Sequence, residues 1–504
     1  MSAIAPNRGF LTLGVMAATL MQVLDSTIAN VALPNMQASL GASPDSATWI
    51  LTSYIVASAV VMPLTGWLAT RVGPRRLYLS SVIVFVAASM LCGIATSLEE
   101  MVAFRILQGA AGAFLMPLGQ TVLLDINPPE RHGKAMALYG MGVVIGPILG
   151  PVIGGWLTEY YSWRWSFYIN LPVGIGALAI LWALLPRRAG VRTGFDLFGF
   201  SMLAIAVGAL QIMLDRGQSE DWFQSVEIWI ELGIAAAAFW MFAVHVAGGR
   251  ALFAPSLFAD RNFSAALALS AVMGALLLAG MALMPSFLQR LYGYPVIDTG
   301  LLLAPRGIGV FISMGLVGRL IGRVDPRPLV ALGFAVTALS LWQMTRFSLE
   351  MDWRPVVLSG VVQGLGLGLL FVPLNTLAFA TLPPRFRTEA ASLLNLSRSI
   401  GGSVGISVAT AMLSRNLKVS HADIAGTLTT QRLEMGDPTL LQQLGPYGDA
   451  ALSALDAEVT RQALMIAYLD DFKLLMLLTL AVIPFTLFLR RGRQAPGGPP
   501  VLAD

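Results

Sequence analysis

The sequence is poor in cysteine, histidine and charge. One Cys (Cys92) and three His occur in 504 residues, and only 12% of the residues are Asp, Glu, Lys or Arg, about half the charged share of a soluble domain. So few thiol and imidazole groups exclude a disulfide framework, a zinc site and a Cys–His nucleophile pair. The chain also lacks the Gly-x-x-x-x-Gly-Lys-Ser/Thr motif of a Walker nucleotide site. We therefore expect no enzymatic activity, no cofactor and no metal.

Apolar residues are correspondingly abundant, at 56% of the chain with a mean hydropathy of +0.72. This composition predicts an all-α polytopic membrane protein, since a bilayer-spanning helix needs about 20 mostly apolar residues. We count fourteen such runs as predicted spans. They lie at about 11–33, 47–69, 77–97, 100–124, 134–157, 166–185, 197–214, 228–247, 264–289, 299–321, 328–346, 355–379, 391–413 and 471–489.

The positively charged residues predict the orientation, because cytoplasmic loops are enriched in Lys and Arg. With the N-terminus inside, the cytoplasmic loops hold 19 of the 32 Lys and Arg residues, and the short outer loops hold five. We expect both termini to be cytoplasmic. The same asymmetry explains the pI of about 9.3, so the basic balance does not call for a nucleic-acid partner.

One connection is long and polar, at about 415–470, and faces outward in this orientation. It contains no run long enough to span a bilayer. Apolar residues at helical spacing in its second part predict an amphipathic helix that leads into the last span. These residues are Leu452, Leu455, Val459, Ala463 and Ile466.

Two segments recur within the chain. GWLATRVGPRRL at 66–77 matches GRLIGRVDPRPL at 318–329, at an offset of 252, and Gln108-Gly109 with its following residues matches Gln363-Gly364, at an offset of 255. Both offsets correspond to eight spans in the same orientation. A duplicated six-helix unit explains an offset of eight spans if spans 1–6 correspond to spans 9–14 and spans 7 and 8 are inserted between them. Such a duplication predicts a substrate path between the two halves. The predicted domains are 1–190, 191–255 for the two inserted spans, 256–495 with the outer loop 415–470, and a cytoplasmic tail at 496–504.

Several motifs resemble those of the major facilitator superfamily, specifically its fourteen-helix drug:proton antiporter branch of the EmrB/QacA type. The resemblance covers nearly the whole chain, although Thr70 stands where most members carry an acid in the loop motif. The motifs are LDSTIANVALP (24–34), the loop 66–77, RILQGAAG (105–112), GVVIGPILGPVIGGWL (142–157) and WRWSFYINLPVG (163–174).

The resemblance implies a major facilitator fold and a secondary active exporter in the inner membrane of a bacterium. Such a protein takes in protons, its coupling ion, while it extrudes lipophilic and often cationic drugs by alternating access. Members of the EmrB type work with a periplasmic adaptor and an outer-membrane duct, so the outer loop is either a docking surface or an ordinary lid. The alternatives are an exporter of one metabolite, peptide or lipid with the same fold, a channel, and a membrane-embedded enzyme.

Asp25 is the most informative single residue, because a carboxylate inside a span is costly and is usually functional. An apolar environment disfavours the charged form of a carboxyl group, and a nearby cation favours it. Arg105 in the fourth span is the obvious cation. The resemblance associates both positions with proton handling, and the alternative is a static ion pair that fixes the helix register.

In the fifth span, glycines recur at every fourth residue and so line one helix face. Without side chains they allow close approach of another helix, and the prolines favour a bend. The resemblance implies that this motif seals the two halves against proton leak; a tight packing surface is the simpler alternative. The motif residues are Gly142, Gly146, Pro147, Gly150 and Gly154.

The loop motif and its repeat carry arginines on the cytoplasmic side, where they anchor the topology. The resemblance implies a second role, in which they bridge helices when the cytoplasmic side closes. The residues of this predicted gate are Gly66, Arg71, Gly73, Arg75, Arg323 and Arg327.

Three further charges fall inside predicted spans. Arg306 either binds an anionic substrate group or forms a structural pair with an acid. Arg398 can extend its charged end toward the interface. For Glu231, in the inserted pair of spans, the sequence indicates no role.

Overall fold

The computed structural model describes residues 7–248, 252–321, 323–427 and 448–489. Within these ranges the chain is helical and contains no β-strand. Each of the fourteen predicted spans lies on one long helix. We number them α1 (Arg8–Leu40), α2 (Asp45–Val72), α3 (Pro74–Ile94), α4 (Leu98–Ile126), α5 (His132–Tyr160), α6 (Trp165–Leu184), α7 (Leu197–Arg216), α8 (Val226–Ala247), α9 (Arg261–Tyr292), α10 (Val296–Leu320), α11 (Pro326–Met344), α12 (Arg354–Ala380), α13 (Arg387–Thr427) and α14 (Leu452–Phe488).

Twelve of these helices, within the described ranges, are long and apolar enough to cross a membrane. The exceptions are α11 and α13. In α13 the central segment Asn395–Ser403 contains an amide, an arginine and three serines, which lower its hydropathy. Both helices pack among the other twelve, α11 against α12 and α14, and α13 against α9. The predicted all-α membrane architecture is confirmed, although composition alone identifies only twelve of the spans.

The predicted outer loop at 415–470 is largely helical where it is described. Helix α13 continues to Thr427, and the helix that leads into α14 already begins at Gly448, four residues before the span Leu452–Phe488. The two extensions lie side by side, and His421 Nε2 is 3.1 Å from Asp456 Oδ1. The predicted helix is present, but its apolar face is only partly buried: Val459 and Ala463 are buried, whereas Leu452 and Ile466 are exposed. Residues 428–447 and the predicted tail at 496–504 lie outside the described residues.

The internal repeat is visible in the way the helices pack. In the first half α4 contacts α2 at Gly109, where a Cβ atom would meet the backbone of Tyr54. In the second half α12 contacts α10 at Gly364, where a Cβ atom would meet the backbone of Arg306. The two glycines are 255 residues apart and the two contacted residues 252, as the sequence offsets require. The close approach is the reason for glycine at both positions.

The two inserted helices lie at the side of this arrangement. Helix α7 packs against α2 and α8, and its Gln211 donates a hydrogen bond to Ser403 of α13 (2.6 Å). Most of α8 is exposed, including Trp229, Phe239 and Trp240. An exposed apolar helix in a membrane protein faces lipid, so α8 forms part of the lipid-facing surface.

Candidate functional site

Asp25 and Arg105 meet inside the first half. Asp25 lies on α1 and Arg105 on α4, and Arg105 Nη1 is 2.7 Å from Asp25 Oδ2. Their relative exposures are 1% and 0%. The carboxylate and the guanidinium that the sequence singles out therefore form a buried ion pair.

Two amides complete the coordination of the carboxylate. Gln108 Nε2 and Asn170 Nδ2 each donate a hydrogen bond to Asp25 Oδ1, both at 2.7 Å. Asn170 also donates to Ser89 Oγ (2.9 Å). Sequence reasoning did not assign these amides a role, although both lie in motifs that it quoted. Each is a single amide within an apolar run. Because a buried polar group needs a hydrogen-bond partner, this pattern indicates that each amide binds another polar group inside the bundle.

Arg105 is fixed from the α2 side. Its Nε donates to the Ile50 carbonyl (3.0 Å), and its Cζ lies 4.2 Å from the centre of the Tyr54 ring. A cavity of about 90 Å³ reaches this arginine, lined by Ser26, Asn30, Leu51, Tyr54, Ile55 and Arg105. A cavity of this size is large enough for water molecules.

The glycine motif of α5 packs inside the first half. A Cβ atom at Gly146 would lie 2.5 Å from Val23 of α1, one at Gly150 would meet Thr27, and one at Gly154 would lie 3.1 Å from Ile28. Gly142 faces Met16, also on α1. The motif therefore brings α5 close to the helix that carries Asp25; Pro147 lies within the same helix.

A different face of α5 meets the second half. Gly133 approaches Ile321, Gly140 approaches Phe371, and Ile148 approaches Gly307. The second face of α5 thus packs against α10 and α12 of the second half, while the four-residue glycine stripe faces α1; the sealing role stays a prediction. Helical spacing could place the glycines on one face but could not say which helix that face contacts.

At one end of the bundle the halves are joined by charged side chains. We call this end the basic face; it holds the α2–α3 turn at Gly73 and the α4–α5 connection. Asp125 of α4 accepts hydrogen bonds from Arg387 of α13 (3.0 Å) and Arg188 (2.7 Å). Gly66 of α2 lies directly against Glu389 of α13.

The arginines of the predicted gate make local contacts at this face. Arg71 lies over the Trp67 ring, with its Cζ 5.0 Å from the ring centre, and Arg75 donates to the Trp182 carbonyl. Arg327 pairs with Asp325, and the backbone N–H of Arg323 bonds to Leu320 (2.9 Å). Gly73 has a φ of +94°, which only glycine adopts readily. Arg75 thus joins α3 to α6, the ion pair that joins the two halves at this face is Asp125–Arg387, and the gating role of the four arginines stays a prediction.

A second polar link between the halves lies deeper. Gln120 of α4 donates to Asn375 Oδ1 of α12 (2.7 Å) and accepts from Asn395 of α13 (3.1 Å). All three amides are buried. Buried amides hold helices in register when they are paired and are costly when they are not.

The second half contains charges without partners among the described residues. Arg306 is 7% exposed, and its Nε and Nη2 have no hydrogen-bond partner. Neither do Nε and Nη2 of Arg398, whose Nη1 donates to Asn395 (3.3 Å). Asp471 of α14 is buried, and neither of its carboxylate oxygens has a hydrogen-bond partner. Outside the second half, one carboxylate oxygen of Glu231 on the inserted helix α8 also has none. The structural pair expected for Arg306 is therefore absent from the described part of the chain.

Comparisons with known proteins find relatives that match most of the chain. The family profile of the Major Facilitator Superfamily matches residues 15–406. Multidrug export protein EmrB of Haemophilus influenzae is 37% identical over 472 residues, 92% of each chain. Fatty acid resistance protein FarB of Neisseria gonorrhoeae is 37% identical over 496 residues, 97% of each chain. The crystal structure of the human organic anion transporter MFSD10 is similar in fold, with a TM-score of 0.61 and 13% identity over 94% of this chain and 100% of that one.

Proposed function

The chain belongs to the major facilitator superfamily, in the branch of the EmrB-type multidrug export proteins, and we propose that it is a proton-driven exporter of lipophilic toxic compounds. The observation that carries the proposal is the buried Asp25–Arg105 pair, with a small cavity that reaches Arg105. The similarity to EmrB, which is named a multidrug export protein, extends over 92% of both chains and supports the same class of cargo.

Asp25 is the group that carries the proton in this proposal. As a carboxylate it pairs with Arg105 and accepts from Gln108 and Asn170. Once protonated it no longer compensates the guanidinium, whose buried charge must then find other partners. Proton binding therefore changes the relative stability of the two conformations, which is what coupling requires. One charge that crosses about 150 mV supplies roughly 3.5 kcal/mol, enough for a cargo ratio of a few hundredfold.

Alternating access then requires the basic face to open. The bridge between Asp125 and Arg387 and the amides around Gln120 hold the halves together at this face. Both links must break before cargo can enter from that side. Helices α5 and α10, which contact along their length, supply the surface on which the halves rock.

We place the protein in the inner membrane of a bacterium, with the basic face and both termini in the cytoplasm. The excess of Lys and Arg in the loops of that face supports this orientation. The cargo then enters from the cytoplasm or the inner leaflet and leaves on the opposite face.

A periplasmic adaptor is part of the proposal. The paired extensions of α13 and α14 project on the face opposite to the basic face and carry exposed apolar residues, among them Val419 and Leu452. In the proposal, a bound partner covers these side chains. The adaptor would bind there and lead cargo to an outer-membrane duct.

The test is transport in proteoliposomes under an imposed pH gradient, with a panel of lipophilic dyes. Dye movement that requires the gradient and is abolished by a protonophore supports the proposal. Movement that continues without a gradient, or as an electrical conductance, contradicts it.

A narrower exporter is the second candidate, favoured by the 37% identity to a protein named for fatty acid resistance. A single lipid or metabolite would then be the cargo. A deletion strain separates the two: sensitivity to many unrelated compounds supports the broad exporter, and sensitivity to one chemical class supports the narrow one.

A further inference from the structure

The inserted helix α7 binds both halves at the end that lies away from the basic face. Its Leu214 carbonyl accepts a hydrogen bond from the hydroxyl of Ser407 on α13. The carboxyl group of the next residue, Asp215, accepts one from the hydroxyl of Thr52 on α2. Two consecutive residues of α7 therefore hold one helix of each half.

These contacts lie on the side of the membrane opposite to the basic face. Ser403 and Ser407 are 16 and 20 residues beyond Arg387, which lies at the basic face. This places them about 24 and 30 Å along α13, close to the thickness of the hydrocarbon core. Gln211, one turn before Leu214, donates to Ser403 at this depth (2.6 Å).

Helix α7 follows α2 from one membrane face to the other. Near the basic face, Trp67 of α2 donates to the carbonyl of Gly194 (3.1 Å), just before α7 begins. Further along, a Cβ atom at Gly208 would lie 3.5 Å from Val60. The bond from Thr52 continues this line of contacts at the far end. Contacts along the whole length of the helix attach α7 to the first half.

The contact between α7 and α13 is local. Within the described residues, the hydrogen bonds from α7 to the second half are the two at Ser403 and Ser407. Both join uncharged groups, and such bonds contribute modestly because water can replace the partner. Near the basic face α13 meets α2 itself, where Glu389 lies against Gly66. An opening of the halves at the opposite face would therefore break two weak bonds and leave α7 on α2.

We propose that α7 is the outer latch of the exporter. It moves with the first half, binds α13 through Gln211 and Leu214 when the outer side is closed, and releases α13 when cargo leaves. The proposal rests on the proposed function, because alternating access requires the outer side to open. It gives one of the inserted spans a part in transport and makes α7 the counterpart of the Asp125–Arg387 pair at the basic face.

The experiment joins α7 to each half in turn. In a Cys92→Ser background, one full-length variant carries Gln211→Cys and Ser403→Cys, and its matched control carries Gly208→Cys and Val60→Cys. A short bifunctional methanethiosulfonate cross-links each pair, and mass spectrometry measures the extent of cross-linking. Dye transport in proteoliposomes under a pH gradient is measured before and after reduction, so that each pair is its own reference.

We expect the cross-link between α7 and α13 to lower transport by about tenfold or more, with recovery on reduction, because the outer side can no longer open. The cross-link between α7 and α2 should leave transport within about twofold of that of the reduced protein, since these helices move together. Full transport with α7 fixed to α13 would overturn the proposal. Loss of transport with α7 fixed to α2 would also overturn it, because α7 would then move against the first half.

A second measurement does not depend on transport. Gln211→Leu removes one bond of the latch, and Gln224→Leu, at an exposed position in the α7–α8 connection, is its control. Loss of the latch bond favours the conformation that is open at the outer side and closed at the basic face. A charged maleimide in inside-out vesicles should then label a cysteine at Ser392, on α13 near the basic face, about threefold more slowly in Gln211→Leu.

Equal labelling rates in Gln211→Leu and Gln224→Leu would overturn the latch. If the wild type moves no dye under any gradient, the export function is wrong. The labelling rates would then still decide whether α7 holds the halves together.

Discussion

Asp125 on α4 accepts a hydrogen bond from Arg387 on α13, with 3.0 Å between Oδ1 and Nη1, and so joins the two halves at the basic face. The two residues are 262 positions apart. Their side chains are 19% and 16% exposed, which places the pair between a buried and a surface ion pair. The ion pair therefore stabilises the contact between the halves by on the order of 1 kcal/mol, since solvent screens part of the attraction.

The first prediction concerns this bridge. Asp125→Asn should favour the conformation that is open at the basic face by about fivefold, because the ion pair between the halves is lost. The measurement is the labelling rate of a cysteine at Ser392, a buried position on α13, by a charged maleimide in inside-out vesicles. The single native cysteine, Cys92, is replaced by serine in this background.

The control for this experiment is Arg188→Gln. Arg188 is the other partner of Asp125, but its side chain is 59% exposed and lies in the same half. This variant should label at nearly the rate of the parent. Equal acceleration by Arg188→Gln and Asp125→Asn would show that the contact between the halves has no special part in closing this face.

The second prediction concerns the glycine stripe of α5. Gly150→Ala should lower the free energy of unfolding by about 1–3 kcal/mol, since its methyl group would collide with Thr27 of α1. Gly142→Ala on the same helix faces the flexible end of Met16 at 3.4 Å and should be neutral or slightly stabilising, as alanine favours a helix. Thermal unfolding of the purified variants in detergent measures both. Equal stability of the two variants would contradict the packing described here.

The third prediction concerns the paired extensions of α13 and α14. Val419→Glu and Leu452→Glu place charges on side chains that are 53% and 64% exposed, so folding should be unaffected. If an adaptor docks there, these variants should lower drug resistance in cells several-fold and leave transport in proteoliposomes unchanged. Val191→Glu, at an exposed position in the α6–α7 connection, is the control and should have no effect on either. Unchanged resistance in all three strains would argue against docking on this surface.

Much of the fold could be predicted from the sequence because hydropathy and length determine where helices form in a membrane. The pairing of Asp25 with Arg105 was also predictable, since an isolated charge inside a span needs a partner. Where helices end depends on contacts that hydropathy does not measure. For this reason hydropathy did not predict that α13 continues past residue 415 to Thr427, or that the last helix already begins at Gly448.

The contacts between distant helices could not be predicted. Periodicity placed the α5 glycines on one face, and only the packing identifies α1 as the neighbour. Arg387 was indistinguishable from other loop arginines that set the topology, so its bridge to Asp125 was missed. Likewise, the sequence offered a structural partner for Arg306 as one alternative, and the described structure contains none.

The central claim is that Asp25 binds and releases the proton that drives export. It is tested most directly by dye transport in proteoliposomes with wild type, Asp25→Asn and Asp471→Asn, at equal amounts of folded protein and under the same pH gradient. Asp471 is also a buried carboxylate in a membrane helix, but within the described residues it has no hydrogen-bond partner, and so it is the matched control. We predict that Asp25→Asn abolishes transport driven by the pH gradient and that Asp471→Asn retains it. Full gradient-driven transport by Asp25→Asn would contradict the account.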